Sequence, residues 1–225
     1  MVSPFCALAT TGGEIVEKVS GTRIDQYLHD NIFAPLGMSS TGFSVPQAKH
    51  GKLVAVHTRE PDRSFTATDF SWTPTGDHIL SGHGLYSTVE DYMVFLQVFL
   101  NGGMVKGTRI LRPETLRLMG ENRIGEINVS LMRSARPTLS KDAELFRGMI
   151  KKHSLGFQIT TEESPGTRSA GSLSWAGLFN LFYWIDPSRG IAAAFATQLL
   201  PFNDAGVMFF NDTAATEIYT TLSSG

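Results

Sequence analysis

Two apolar segments separated by a short turn constrain the fold of this chain more than any other feature. Residues 178–185 and 191–199 are rich in aromatic, β-branched and small apolar side chains, which is typical of strands. Between them lie residues 186–190, where Pro187 fixes φ and Gly190 allows a positive φ. The pattern predicts two adjacent antiparallel strands, and residues 155–161 are predicted as a third strand.

Elsewhere, apolar residues recur every three to four positions, which predicts helices. Capping residues and turn-forming glycines indicate where these helices begin and end. Between them, residues 41–80 are predicted as loops with brief strands. The predicted helices are 14–19, closed by Ser20 and Gly21; 24–33, capped by Thr22 with Asp25 and ended by Pro35 and Gly37; a helix that Ser87 caps with Glu90 and Asn101 ends; 113–119, leading into Gly120; and a closing helix over 207–222.

Composition excludes several classes of function. Hydrophobic residues make up 42% and charged residues 18% of the 225 residues, which indicates a folded globular protein. Nineteen basic against 21 acidic side chains, with no basic stripe, argue against nucleic acid as a partner. The single Cys6 cannot form an internal disulfide, and no His/Cys cluster predicts a metal site. No apolar stretch reaches membrane-spanning length and no basic leader is visible, so a cytoplasmic location is expected.

Residues 122–152 mix charges with scattered apolar side chains, which favours a surface excursion, read as a loop rather than a lid. The charged pairs at 151–152 and 162–163 are expected to be solvated. His78 and His83 flank a glycine turn and are interpreted as structural histidines, because no nucleophile accompanies them.

Several short segments follow one another in a specific order along the chain. In this order they resemble the superfamily of serine β-lactamases, penicillin-binding proteins and family VIII carboxylesterases. The resemblance spans nearly the whole chain and implies an α+β fold in which helices flank a β-lactamase/transpeptidase-like antiparallel sheet. The segments are Ile32-Phe33-Ala34-Pro35-Leu36-Gly37, Gly82-His83-Gly84-Leu85-Tyr86-Ser87, Leu100-Asn101-Gly102-Gly103, Ile110-Leu111-Arg112-Pro113-Glu114, Trp175-Ala176-Gly177 and Tyr183-Trp184-Ile185-Asp186-Pro187.

In that superfamily a Ser-x-x-Lys motif supplies the nucleophile, a loop Tyr or Ser assists proton transfer, and a Lys/His/Trp-x-Gly triplet lies on a strand beside the site. Trp175-Ala176-Gly177 resembles the Trp-x-Gly form of the esterase branch more than the Lys-Thr-Gly form of β-lactamases. The resemblance implies that Trp175 lines an acyl pocket, that Ala176 and Gly177 continue the binding strand, and that the N–H of Leu178 donates to the oxyanion. The alternative is that Trp175 is an ordinary core aromatic beside a glycine bulge.

The rest of the catalytic set departs from the family pattern. No Ser-x-x-Lys occurs in the chain, so the nucleophile is unknown. Aligning residues 13–17 with the corresponding family helix places Phe5 or Cys6, depending on one gap, where the catalytic Tyr stands. Phenylalanine cannot carry a proton. We therefore interpret residues 1–225 as one partial domain, the C-terminal part of a longer hydrolase, with a helical and loop part over about 1–152 and a sheet with a closing helix over about 153–225.

Two functions follow as hypotheses. The first is a serine hydrolase that cleaves carboxylic esters, β-lactams or both through an acyl-enzyme, without cofactor or metal. The second is a catalytically inactive homologue that serves as a binding or regulatory module. In either case, the missing strands are expected to leave a sheet edge uncovered, which predicts homo-oligomers.

Overall fold

A computed structural model describes residues 4–70, 79, 81–163 and 168–207, with side chains from residue 11 onward. Helices and very short strands make up the first part of the chain, and the strands of the main sheet follow. The helices are α1 (Pro4–Ser20), α2 (Ile24–Leu28), a π-helical segment (His29–Phe33), α3 (Ala34–Leu36), a 3-10 segment (Gln47–Lys52), α4 (Val89–Leu100) and α5 (Pro113–Gly120). The strands are β1 (His57–Arg59), β2 (Phe65–Ala67), β3 (Met104–Val105), β4 (Thr108–Arg109), β5 (Lys151–His153), β6 (Gln158–Thr160), β7 (Leu173–Gly177), β8 (Leu181–Asp186), β9 (Ile191–Phe195) and β10 (Leu199–Leu200).

The main sheet has five strands in the order β5-β6-β7-β8-β9, and each neighbouring pair is antiparallel. The predicted hairpin between β8 and β9 is confirmed, with Gly190 at a φ of 67°. Within that turn, the Asp186 carboxylate accepts the N–H of Arg189 at 3.1 Å. Helices packed on an antiparallel sheet confirm the predicted α+β class.

The strand predicted to begin at residue 178 begins instead at Leu181. Residues 178–180 form a tight turn between β7 and β8, with Gly177 paired to Leu181 across it. Asn180 takes a φ of 59°, a left-handed conformation that cannot continue a strand. The prediction failed here because the apolar side chains of Leu178 and Phe179 resemble strand residues.

Helix α4 covers one face of the main sheet. Its Leu96 is fully buried against Phe157, Leu173 and Ile185, which project from β7, β8 and the residue before β6. The apolar residues of α4 recur at helical spacing and those of β8 at every second position, so both elements bury one side. This packing holds β7 in place from the helix side.

Most of residues 122–150 form an exposed loop, as predicted, but part of this segment covers the other face of the sheet. Ala143, Leu145 and Phe146 are buried and pack with Phe182 and with residues at and after β10. The expected solvation of Lys151 is wrong. Its side chain is 2% exposed, and its ammonium donates to the Glu144 carboxylate at 3.1 Å and to the Phe146 carbonyl at 3.0 Å. The buried apolar residues of this segment are spaced irregularly, so they show neither the helical nor the strand period by which burial is predicted from a sequence.

The limits of α4 and α5 lie close to those predicted, but α1 begins at Pro4, ten residues before the predicted start, and two predicted caps are wrong. Gly21 ends α1 at a φ of 68°, as predicted. Thr88, one residue after the predicted Ser87, caps α4 by accepting the N–H of Asp91 at 3.2 Å. Thr22 does not cap α2, because the side chain of Glu17 in α1 accepts the N–H of Ile24 at 2.8 Å.

A small sheet joins the two parts of the chain. Strand β1 pairs with β2 in antiparallel fashion and with β10 in parallel fashion, so residues 57–59 lie beside residues 199–200. The predicted closing helix lies outside the described residues from residue 208 onward. Within the described ranges, every helix is too short or too polar to cross a bilayer.

Candidate functional site

The triplet Trp175-Ala176-Gly177 forms the end of β7, between β6 and β8. Successive side chains of a strand point to opposite faces of the sheet. Ala176 packs against the cluster that contains Phe182 and Phe146, so its side chain lies on the face covered by residues 122–150. Trp175 therefore points to the other face, the side of α4, where it lies directly opposite Tyr183.

The indole of Trp175 is half-buried and held by a neighbouring ring. The His153 imidazole contacts it edge to face, with ring centroids 5.3 Å apart and an interplanar angle of 84°. Nδ1 of His153 lies 2.7 Å from the carbonyl oxygen of Ser154, which fixes the imidazole in turn. Trp175 is therefore an oriented side chain, as the wall of a binding site requires.

The main-chain N–H of Leu178 follows this wall directly. Among the residues that the structure describes, no acceptor binds this N–H, and Leu178 is 41% exposed. An N–H without a protein acceptor can donate to a developing oxyanion. Gly177 also lies close to the Leu181 side chain, at 3.1 Å from the position of an added Cβ, so the backbone here leaves little room for a larger residue.

A pair of partly buried tyrosines lies beneath the wall. The rings of Tyr92 in α4 and Tyr183 in β8 meet at 5.2 Å between centroids, and their hydroxyls hydrogen-bond to each other. Burial raises the pKa of Tyr183 to about 12 and raises the pKa of Tyr92 further. Both phenols are therefore protonated at neutral pH and cannot act as a general base. The sequence analysis did not identify this pair, because aromatic residues in a helix and a strand usually belong to the core.

The described residues do not bring a nucleophile to this wall. Phe5 and Cys6 belong to α1, but the structure describes only their backbone. Ser40 Oγ does lie 3.0 Å from Lys49 Nζ, a contact that resembles an activated serine. However, the Lys49 amine also donates to the Ser39 carbonyl, so it acts as a hydrogen-bond donor here and not as a base for Ser40. The Ser40 N–H donates to the Asp91 carboxylate, which places a negative charge where an oxyanion would need a donor. Both features favour a structural role.

Two clefts in the described ranges lie away from this wall. They have volumes of about 260 and 110 Å³, surround the loop after α3 and share Ser39 and Thr41 in their linings. Neither is lined by residues 175–178. Within those residues, no group of three His, Cys, Asp or Glu side chains could hold a metal ion. His78 lies outside the described residues, and burial lowers the pKa of His83.

Two buried serines at β7 have different hydrogen-bond environments. The Ser172 hydroxyl donates to the Ser169 carbonyl at 2.8 Å. The Ser174 hydroxyl and the Gln158 amide opposite it have no partner within the part of the chain that the structure describes. A buried polar group without a partner loses its hydration and gains nothing in return.

We therefore expect Ser174→Ala to raise the free energy of unfolding by about 1 kcal/mol, and Ser172→Ala to lower it by about 1 kcal/mol. Urea denaturation followed by circular dichroism measures both values. Equal losses in the two variants would show that Ser174 has a partner in solution.

The family model described as Beta-lactamase matches residues 8–215. Monacolin J acid methylbutanoyltransferase of Aspergillus terreus is 26% identical over 222 residues, which cover 95% of this chain and 53% of that protein. Lovastatin esterase of Penicillium rubens is 24% identical over 226 residues, which cover 94% of this chain and 54% of that protein.

A solved structure of simvastatin synthase from Aspergillus terreus, the LovD6 mutant, superimposes with a TM-score of 0.77 at 24% identity. The match covers 91% of this chain and 51% of that one. At this identity the similarity shows a shared fold. The chain spans about half the length of the relatives that it matches.

Proposed function

The chain belongs to the beta-lactamase family, and from this membership we propose that it supplies the oxyanion-binding wall of a serine acyl-transfer site that acts on carboxylic esters. The observation that carries the proposal is the Leu178 N–H, which lacks an acceptor among the described residues and directly follows the oriented Trp175 strand. The family resemblance of the Trp-Ala-Gly triplet supports this assignment. Serine acyl transfer requires a donor of this kind at the end of such a strand.

The proposed reaction needs a serine that these 225 residues do not encode in a Ser-x-x-Lys motif. The serine oxygen attacks the ester carbonyl carbon while a neighbouring lysine takes the hydroxyl proton. The carbonyl oxygen becomes an oxyanion and accepts the Leu178 N–H. Collapse of this intermediate breaks the ester C–O bond, and the lysine returns the proton to the departing alcohol. Water or a second alcohol then attacks the acyl-enzyme and releases the free acid or a new ester.

Esters are favoured over β-lactams because of residue 175. The Lys-Thr-Gly form of the triplet provides a cation for the carboxylate of a β-lactam, whereas Trp175 offers an apolar ring. With the exposed Leu178 side chain beside it, the wall suits a short aliphatic acyl group. The name of one relative, a methylbutanoyltransferase, agrees with that acyl class, and the name of another, a lovastatin esterase, agrees with ester chemistry.

The alternative is a binding or regulatory module without catalysis. The absent Ser-x-x-Lys and the structural role of the Ser40–Lys49 contact favour it. A module of this kind would keep the Trp175 wall as a ligand-binding surface and would release no product.

The test uses the purified chain alone and mixed with a separately made polypeptide carrying the Ser-x-x-Lys helix of the family, a mixture that we call the complemented chain. Nitrophenyl butanoate, a chromogenic cephalosporin and a serine-directed acylating probe report turnover and labelling. We expect ester turnover by the complemented chain only, with the label on the serine of the added motif. A Ser→Ala form of the added helix is the control. Inactivity of the complemented chain would favour the module, and labelling of Ser40 in the chain alone would contradict the proposed origin of the nucleophile.

Self-association is a separate prediction. Strand β9 (Ile191–Phe195) is an edge strand of the main sheet without a charged residue, and no strand pairs with its outer edge among residues 4–207 that are described. Such an edge can pair with a second copy of the chain. Size-exclusion chromatography with light scattering should show dimers or larger species. Ala193→Lys should shift them to monomer, whereas Leu155→Lys, at an apolar residue 66% exposed away from this edge, should not. A strictly monomeric unmodified chain would contradict the prediction.

A further inference from the structure

Asn180, the last residue of the turn that follows Leu178, uses its whole side-chain amide in hydrogen bonds. The residue is completely buried. Its Nδ2 donates to the carbonyl oxygens of Leu199 at 2.9 Å and Pro201 at 3.0 Å. Its Oδ1 accepts the N–H of Asp204 at 3.0 Å. Asn and Gly both adopt the positive φ found at this position, whatever their side chains bind. The three side-chain hydrogen bonds are therefore not needed to form the turn itself.

Asp204 extends the network from the main chain near Asn180 to the small sheet. Its side chain is 6% exposed, and its carboxylate accepts three hydrogen bonds from the guanidinium of Arg59, including one of 2.8 Å from Nη2. It also accepts the N–H groups of Gly206 at 3.0 Å and Val207 at 3.2 Å. Burial favours the neutral acid, but Arg59 and these N–H groups outweigh it and lower the pKa of Asp204. The carboxylate is therefore ionised at neutral pH.

Residues before and within β10 also bind the backbone of the 178–180 turn. The Thr197 hydroxyl donates to the carbonyl of Phe179 at 2.5 Å and to that of Asn180 at 3.2 Å. The N–H of Leu199 also donates to the Phe179 carbonyl, at 3.3 Å. Both carbonyls that follow Leu178 are thus bound by the segment at and before β10, and β10 itself pairs with the strand that carries Arg59.

We propose that Asn180 is a positioning residue, which, with Asp204 and Arg59 behind it, holds the 178–180 turn so that the Leu178 N–H stays directed at the oxyanion. This inference rests on the proposed function. A donor contributes to catalysis only if it is oriented before the reaction, because reorientation during the reaction consumes the stabilisation. The network connects the turn to residues 197–207 and, through Asp204, to Arg59, and Asn180 makes all of its side-chain contacts from the turn.

The test compares Asn180→Gly and Asn180→Asp with a matched control. Gly keeps the positive φ but removes the amide, and Asp keeps the shape but removes both donated hydrogen bonds. The control is Asn203→Gly, because Asn203 also has a positive φ of 64° and donates from Nδ2 to a carbonyl, that of Asp142, without contacting the turn. Urea denaturation identifies any variant that fails to fold, and having two Asn180 variants keeps the test available if one does.

The first readout is the backbone order parameter of the Leu178 amide, measured by NMR relaxation on the full chain. We expect a fall from about 0.85 to below about 0.6 in both Asn180 variants and no change in Asn203→Gly. The second readout is ester transfer by the complemented chain, where kcat should fall about tenfold or more while KM stays unchanged. If Asn180 were merely structural, its substitution would lower the free energy of unfolding without lowering kcat selectively relative to KM.

An unchanged order parameter in the Asn180 variants would overturn the inference. So would an active complemented chain whose kcat is the same in Asn180→Gly and Asn203→Gly. Inactivity of the unmodified complemented chain has a different meaning, because it refutes the proposed function, and the positioning of an oxyanion donor is refuted with it. The two failures are therefore distinguishable by the activity of the unmodified chain.

Discussion

Leu178→Pro is expected to lower kcat/KM of the complemented chain for a butanoyl ester by about 100- to 1,000-fold, because proline removes the one N–H proposed to stabilise the oxyanion. The fold should tolerate the change. Residue 178 is the first position of the turn after β7, where proline is favoured, and its N–H has no acceptor among the described residues to lose. Steady-state kinetics with nitrophenyl butanoate measure the effect.

Leu178→Ala distinguishes the contribution of the main-chain N–H to catalysis from that of the Leu178 side chain. Alanine keeps the N–H and removes only apolar contacts, so the expected loss in kcat/KM is about tenfold or less. Circular dichroism and urea denaturation should show both variants folded. Equal activities for the proline and alanine variants would refute the role of this N–H, even if the chain proved to be active.

Gly103→Ala is expected to have the largest effect on stability, a loss of at least about 4 kcal/mol that leaves the chain largely unfolded. Gly103 has a φ of 89°, and a Cβ there would lie 1.9 Å from the Leu111 carbonyl oxygen. Its N–H also donates to the Val98 carbonyl at 2.8 Å, which closes the C-terminal end of α4. A steric clash with backbone cannot be relieved by moving one side chain, so the closure of α4 must open.

Gly102→Ala is the matched control for this prediction. Gly102 also has a positive φ, of 60°, but a Cβ there meets nothing within 4 Å. Its loss should be about 1 kcal/mol, the ordinary cost of a left-handed alanine. Urea midpoints measure both variants. Similar stabilities would show that the backbone around Leu111 yields easily, and that α4 is less firmly closed than the structure indicates.

The predictions for Leu178 and Gly103 concern parts of the fold that pack together. Helix α4 packs on the sheet that carries β7, and the end of β7 presents Trp175 and the Leu178 N–H. Opening the end of α4 at Gly103 should therefore disturb the wall as well as the core. Removing the Leu178 N–H should disturb the chemistry alone.

Local patterns predicted much of the fold correctly. The helix that ends near Asn101, the closure of α1 at Gly21 and the hairpin at Gly190 all depend on residues a few positions apart. Helical spacing, strand composition and turn chemistry act at that range, so they can be read from the sequence. The ordered segments that resemble the serine β-lactamase superfamily correctly indicated the family.

The sequence by itself therefore determined the α+β class, the family and the strand that carries Trp175. Only the tertiary structure decided that Leu178 lies in a turn, that Ala143, Leu145 and Phe146 are buried, and that Asn180 joins the turn to Asp204 and Arg59. These outcomes depend on hydrogen bonds and packing between distant residues, such as the Arg59–Asp204 pair 145 positions apart. Burial and pairing at that distance are set by how the elements pack, and no period or turn signal in the sequence encodes them.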